Sequence, residues 1–206
     1  SGYKYKFECT MIQNDNDIIY HDKNGYYGRP FMSGDNYNGD YNANTVTQLT
    51  NKFHVSTTTY RYLDYIKYGT TDVCTESSFV RSNYPKTDRF YGELTDYVPT
   101  KEGVANIDLK RTAFGLKFIV TPPVDGTLSV SYIWTNNGSI NSNIKLSADD
   151  NILESSSMYT FYEVYECWQA ENYTKDFTIR LKWKRANGAT QTFEEVITVK
   201  RNVMTT

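Results

Sequence analysis

The chain has 206 residues and 39% hydrophobic content, enough for one large all-β domain or two small domains. No apolar run approaches the roughly 18 residues that a membrane span needs, so no span is predicted. The net charge of −2 argues against a nucleic-acid partner, because binding to phosphates needs a basic surface.

The first predicted element is a strand at Tyr3–Thr10, where the sequence alternates between two kinds of side chain. One face carries Tyr3, Tyr5, Phe7 and Cys9, and the other carries Lys4, Lys6, Glu8 and Thr10. A period of two is typical of a half-buried strand.

The segment Met11–Asn44 is dense in Asn, Asp and Gly and is predicted to be turns and a long loop, with a short strand at Ile18–Tyr20. Within it, Gly34–Asn44 offers many side-chain oxygens but lacks the pattern of a calcium loop, so no metal is predicted. Exposed tyrosine rings can stack on sugars, because one side of the residue is apolar and the other end is polar. The candidate glycan contacts are Tyr26, Tyr27, Tyr37 and Tyr41.

The next part of the chain gives weaker signals. Thr45–Tyr68 is rich in β-branched and aromatic residues and predicts one or two strands, although Tyr60–Gly69 also fits a short helix. Ser77–Gly103 contains Pro85 and Pro99 with several Gly, Asn and Asp residues, and it is predicted to be mostly loop.

The stretch Asn106–Val120 alternates, but its apolar set changes phase halfway along. Ile107, Leu109 and Ala113 are apolar at odd positions, whereas Phe114, Leu116, Phe118 and Val120 are apolar at even positions. One extra residue near Thr112–Gly115 would form a bulge and exchange the two faces. We therefore predict a strand that bends there and serves one sheet with its first half and the facing sheet with its second, as corner strands of sandwiches do.

The C-terminal half predicts further strands at Gly126–Trp134, Met158–Trp168 and Phe177–Lys184, separated by a turn cluster at Thr135–Asn143. Thr192–Lys200 is predicted to return antiparallel after a turn at Asn187–Gly188. The whole pattern favours a β-sandwich of two mainly antiparallel sheets with few or no helices. We predict one domain over residues 1–206, with a division near 139–147 as the alternative.

Sequence signatures of catalysis are missing. No phosphate-binding glycine loop or nucleophile elbow occurs, and His21 and His54 lie in unrelated contexts. We therefore predict no catalytic residue, no cofactor and no enzymatic activity. The cysteines at 9, 74 and 167 are interpreted as small buried residues, and one long-range disulfide stays open as an alternative for a secreted protein.

Three short segments resemble the fimbrillin-like surface proteins of Bacteroidetes. They are Asp88–Gly92 ("DRFYG"), the bent stretch with Arg111 before Thr112–Gly115, and the C-terminal Ile197–Thr206 with the Arg201–Asn202 pair. The resemblance begins at Asp88 and covers the remainder of the chain.

The resemblance implies a transthyretin-like sandwich with Greek-key connections, export to the outer membrane or a fimbrium, and a lipid anchor in the precursor. It also implies assembly with other fimbrial subunits or with itself by strand exchange, in which Tyr3–Cys9 is the exchangeable strand. A donated strand satisfies the unpaired backbone groups of an incomplete sheet. For this chain the resemblance leaves open a fimbrial, accessory or anchor subunit, with adhesion to surface glycans or proteins, and Tyr3–Cys9 as an ordinary permanent strand is an open alternative. The alternative function is a carbohydrate-binding sandwich module.

Overall fold

A computed structural model describes residues 2–13, 84, 86–134 and 140–206, together with four two-residue strands. Those short strands are β2 Tyr26–Tyr27, β3 Thr47–Gln48, β4 Ile66–Lys67 and β5 Phe79–Val80, which form the antiparallel pairs β2–β3 and β4–β5. In this part of the chain no helix has the length and apolarity to cross a bilayer.

Two sheets stack face to face around the core. One has the order β11-β8-β14 and the other the order β10-β9-β12-β13. Their strands are β8 Ala113–Val120, β9 Thr127–Trp134, β10 Ile140–Ser147, β11 Leu153–Thr160, β12 Thr174–Lys184, β13 Thr190–Lys200 and β14 Met204–Thr205. All pairs in these sheets are antiparallel except β14 with β8. The predicted all-β sandwich is confirmed.

A third sheet continues from the first and has the order β1-β6-β7. Its strands are β1 Tyr5–Gln13, β6 Asp88–Tyr97 and β7 Lys110–Arg111. The prediction of mostly loop at Ser77–Gly103 is therefore wrong, because β6 is a ten-residue strand inside it. Polar residues at 88, 89 and 93 concealed it, because they resemble solvent-facing residues in the sequence but pair with side chains of neighbouring segments.

The core of the sandwich is aromatic and centres on Phe114, which is fully buried. Its ring lies 4.6 Å from that of Phe161 and stacks on Tyr159 at 5.8 Å and on Phe177 at 5.4 Å between centroids. The other buried members of the core are Leu116, Val130, Tyr132, Ile144, Leu146, Cys167 and Val199. Both stacked sheets thus contribute to one continuous core.

The phase change in Asn106–Val120 marks the place where the chain passes from one sheet to the next. Thr112 separates β7 from β8, and its N–H donates to the carbonyl of Arg89 in β6 at 2.7 Å. Its own carbonyl accepts from the N–H of Phe161, just beyond β11, at 3.0 Å. The predicted change of sheet is confirmed, but the prediction of facing sheets is wrong, because β7 joins β1 and β6 rather than the sheet β10-β9-β12-β13 that packs against β8.

The first half of that stretch differs from the prediction. Residues 106–109 form no strand, and Leu109 is 37% exposed. Leu109 instead lies against Gly92 of β6, where a Cβ would come within 2.4 Å of the carbonyl oxygen of Asp108. Leu109 therefore covers Gly92 of β6 from an irregular segment rather than from a strand.

The predicted strand at Met158–Trp168 is wrong beyond Thr160. The chain turns at Phe161 and forms the short helix α1, Val164–Gln169, which buries Val164 and Cys167 at a spacing of three residues. Burial of this helical face overrides the β propensity of the sequence.

Two further predictions concern the C-terminal half. The β12–β13 hairpin is confirmed, with a five-residue connection in which Gly188 has φ +85° and Arg185 accepts from its N–H. Part of the predicted turn cluster, and most of the alternative boundary at 139–147, is instead β10, which pairs with β9 from Ile140 to Ser147. Ile144 and Leu146 of β10 lie in the core. The sequence suggested a turn because turn-forming Asn and Ser residues lie beside these apolar residues.

We expect Phe114→Ala to lower the free energy of unfolding by about 3–5 kcal/mol, because it empties the centre of the aromatic core. Urea unfolding followed by circular dichroism measures this loss. The control is Val124→Ala at a side chain that is 84% exposed, where we expect a change within about 0.5 kcal/mol. Equal small effects for both variants would contradict the assigned core.

Candidate functional site: the edge strand β1

The strand β1 lies at the edge of its sheet. It pairs antiparallel with β6 from Tyr5↔Tyr97 to Gln13↔Asp88, with an irregularity between Tyr5 and Phe7. Within the described residues no other strand pairs with it. The strand continues to Gln13, three residues beyond the predicted end at Thr10.

The residues predicted to form an exchangeable strand have unequal environments. Tyr3 precedes the strand and is 72% exposed, and Tyr5 is 49% exposed. Phe7 and Cys9 are half-buried, and Phe7 meets Tyr97 edge-to-face with 5.6 Å between ring centroids. The strand is half-buried, as predicted. Its aromatic face, however, does not contact Arg89 and Tyr91, which are the most deeply buried side chains of β6.

The polar face of β1 meets those neighbours instead. Three side chains of β1 face three of β6 in diagonal contacts, which we call the polar ladder: Lys6 with Glu93, Glu8 with Tyr91, and Thr10 with Arg89. The distances are 3.0 Å from Lys6 Nζ to Glu93 Oε2, 3.2 Å from the Tyr91 hydroxyl to Glu8 Oε1, and 2.9 Å from Arg89 Nη2 to Thr10 Oγ1. Such diagonal neighbours are within reach of long side chains in an antiparallel pair.

Arg89 is the most deeply buried charge of the ladder, with 1% of its surface exposed. Burial lowers the pKa of Arg89 to about 10, while Tyr91 and Glu8 act in the opposite direction. The guanidinium therefore stays charged at neutral pH. It also lies 5.4 Å from the centre of the Tyr91 ring, whose π face attracts a cation.

Tyr91 is fully buried and joins the two carboxylates of the ladder. Its hydroxyl donates to Glu93 and also lies within reach of Glu8, while its ring meets Trp168 of α1 edge-to-face at 6.0 Å. Burial first, and then these carboxylates, raise the pKa of Tyr91 well above its ordinary value. The phenol consequently remains a donor at neutral pH.

Lys6 offsets the repulsion between Glu8 and Glu93, which face each other directly across the two strands. Its ammonium lies 3.0 Å from an oxygen of each carboxylate. Burial opposes the charge of Lys6, but the hydrogen bonds and charges of the two glutamates outweigh it, so the pKa of Lys6 is raised. In the ladder, cations and hydroxyl groups thus lie next to the carboxylates and offset their charge.

A second network joins the three segments that carry the family resemblance. Arg111 Nε lies 2.9 Å from Asp88 Oδ1, and Arg111 Nη1 donates to Asn202 Oδ1 at 2.7 Å. Asn202 has φ +61°, a left-handed conformation that Asn tolerates better than most residues. The guanidinium of Arg111 also lies 5.0 Å from the ring centre of Phe90.

Arg201, the neighbour of Asn202, anchors the segment that follows helix α1. Its Nη2 donates to the carbonyls of Ala170 and Glu171 at 3.1 and 2.6 Å. The N–H of Arg201 donates to the carbonyl of Tyr173 at 2.9 Å. The Arg–Asn pair therefore joins the end of β13 to two other parts of the fold.

The side chains of the remaining predicted site residues lie outside the described part of the structure. Tyr26 and Tyr27 form β2, whose side chains are not described, and Tyr37, Tyr41, the whole Gly34–Asn44 segment and both histidines lie outside the described residues. The carbohydrate-binding alternative stays a prediction. No cluster of metal-ligating side chains occurs in the described part of the chain.

The cysteines that the structure describes carry no disulfide. Cys167 is buried, and burial raises the pKa of its thiol to about 12. Cys9 is half-buried, and Cys74 lies outside the described residues. Burial of Cys167 agrees with its interpretation as a small core residue.

Comparison with models of protein families, with curated proteins and with solved structures found no match.

We expect Asn202→Ala to lower the free energy of unfolding by about 2 kcal/mol, because it removes the hydrogen bond from Arg111 and places alanine at a left-handed φ. Asn202→Gly loses the same hydrogen bond but tolerates that conformation, so we expect a loss of about 1 kcal/mol. Urea unfolding distinguishes the two variants. A glycine variant less stable than the alanine variant would contradict the role assigned to φ.

Proposed function

We propose that this chain is a non-enzymatic structural or adhesive subunit of a bacterial surface fibre, related to fimbrillins, that assembles by exchange of a β-strand. The exchanged position is that of β1. A strand from another subunit pairs with β6 there and links the two subunits. The proposal includes export to the cell surface, as the resemblance implies.

The observation that carries this proposal is the separation of β1 from the core of the sandwich. Every member of the buried core lies on β8–β13, on α1 or, for Phe161, on the turn between β11 and α1, and none lies on β1. Loss of β1 therefore leaves the two stacked sheets intact. It would, however, leave one edge of β6 without backbone partners, and an incoming strand satisfies such an edge.

The convergence of the three resembling segments supports the relationship. Asp88, Arg111 and Asn202 are far apart in the sequence, yet they form one network. A network of this kind links the start of β6 to the C-terminal turn. The residues that suggested the family thus serve a common structural purpose rather than being scattered over the surface.

The test is to cut the full chain at a protease site inserted between Gln13 and Tyr26, and to displace residues 1–13 with mild urea. After the urea is removed, intact chain is added as the source of donor strands, and we expect ordered multimers, measured by light scattering and electron microscopy. The cut must follow Gln13, because Met11–Gln13 still pair with β6.

Two controls accompany this test. The uncut chain should remain monomeric under the same treatment, and an excess of the peptide 1–13 should suppress assembly by refilling the β1 position. Persistent monomers after removal of residues 1–13, with the sandwich still folded by circular dichroism, would count against strand exchange.

A further inference from the structure

We propose that the β1 position selects its occupant by a polar code: a cation, a carboxylate and a hydroxyl at three alternate residues on one face, as in Lys6-x-Glu8-x-Thr10. This inference rests on the proposed strand exchange. It adds the chemistry of the donor strand, which is polar on the buried face rather than apolar.

The requirement for a hydroxyl comes from Arg89. Its guanidinium is buried and charged, and Thr10 Oγ1 accepts from Nη2 at 2.9 Å. An apolar side chain at this position would replace an acceptor with a methyl group beside a desolvated cation. A hydrogen bond to a buried charged group contributes more to stability than one between neutral groups, so losing this bond disfavours an apolar strand.

The requirement for a carboxylate and a cation comes from Tyr91 and Glu93. Tyr91 is fully buried and its hydroxyl reaches Glu8, and the side chain of Glu93 is 2% exposed. Lys6 lies 3.0 Å from both glutamates. An incoming strand without the cation would lose the ion pairs that Lys6 makes with both glutamates, and one without the carboxylate would lose the contact with Tyr91.

The opposite face of the strand imposes weaker demands. Tyr5 and Met11 on that face are 49% and 45% exposed, while Phe7 and Cys9 are half-buried and offer apolar contacts such as that of Phe7 with Tyr97. The ion pair of Lys4 with Asp96, just before the strand, is exposed. Surface ion pairs contribute little. Selection of the donor strand therefore depends mainly on the face that carries the polar code. Specificity arises from the cost of binding a wrong strand as well as from the contacts of the right one.

The experiment measures binding of fluorescent peptides 1–13 to the cut full-length protein after its own residues 1–13 are displaced. We expect the wild-type and Thr10→Ser peptides to bind alike, since both carry a hydroxyl. Thr10→Val and Glu8→Leu should bind roughly 10- to 100-fold more weakly, as the loss of a hydrogen bond to a charged group implies. Lys4→Gln is the control for a change of peptide charge and should stay within about twofold of wild type.

The outcomes separate the two proposals. If wild-type peptide binds and the Thr10→Val and Glu8→Leu peptides bind equally well, the polar code is wrong while strand exchange stands. If no peptide binds, strand exchange fails and the code fails with it as a rule for donor strands.

A second measurement uses the uncut chain and does not depend on exchange. We expect Thr10→Val to lower the urea midpoint in the wild-type background and to have little effect in the Arg89→Met background, because the two residues share one contact. An equal shift in both backgrounds would overturn the assigned role of Arg89.

Discussion

The backbone of Thr112 divides its hydrogen bonds between two sheets, and the arrangement of the other strands depends on that division. Its N–H is bound to β6 and its carbonyl to the end of β11. The side chains of Thr87 and Thr160 add a buried contact of 2.6 Å beside it. Because these groups are shielded from water, a break would leave buried polar atoms unsatisfied, and β6 is therefore firmly joined to the sandwich.

This constraint gives β6 and β1 different roles. β6 is fixed by the hydrogen bond from the N–H of Thr112 to Arg89 and, at its start, by the Asp88–Arg111 ion pair. β1 is fixed only by its pairing with β6 and by the polar ladder, as far as the described residues show. The buried face between β1 and β6 is built from charges and hydroxyls, whose fit depends strongly on chemical identity. The β1 position therefore suits an exchange in which β6 must recognise the incoming strand, and this is the function proposed for it.

The sequence predicted the sandwich, the β12–β13 hairpin and the change of sheet at Thr112, because each depends on local alternation or on a turn residue. It did not reveal β6 or the ladder, since Arg89 and Glu93 look like solvent-facing residues until β1 is placed beside them. The alternation of Lys6, Glu8 and Thr10 was visible, but only their diagonal partners show that this face contacts the buried residues Arg89 and Tyr91 of β6. Helix α1 was missed because tertiary packing, not propensity, determines it.

The central claim is that β1 can leave its sheet while the sandwich stays folded, and hydrogen exchange of the intact chain tests it most directly. The account predicts that amides of residues 5–13 exchange through a partial opening, with a free energy clearly below that of β8 and β12. Their protection should fall in Thr10→Val while that of β8 does not change. Equal protection of β1 and β8, lost together in one global unfolding step, would contradict the account.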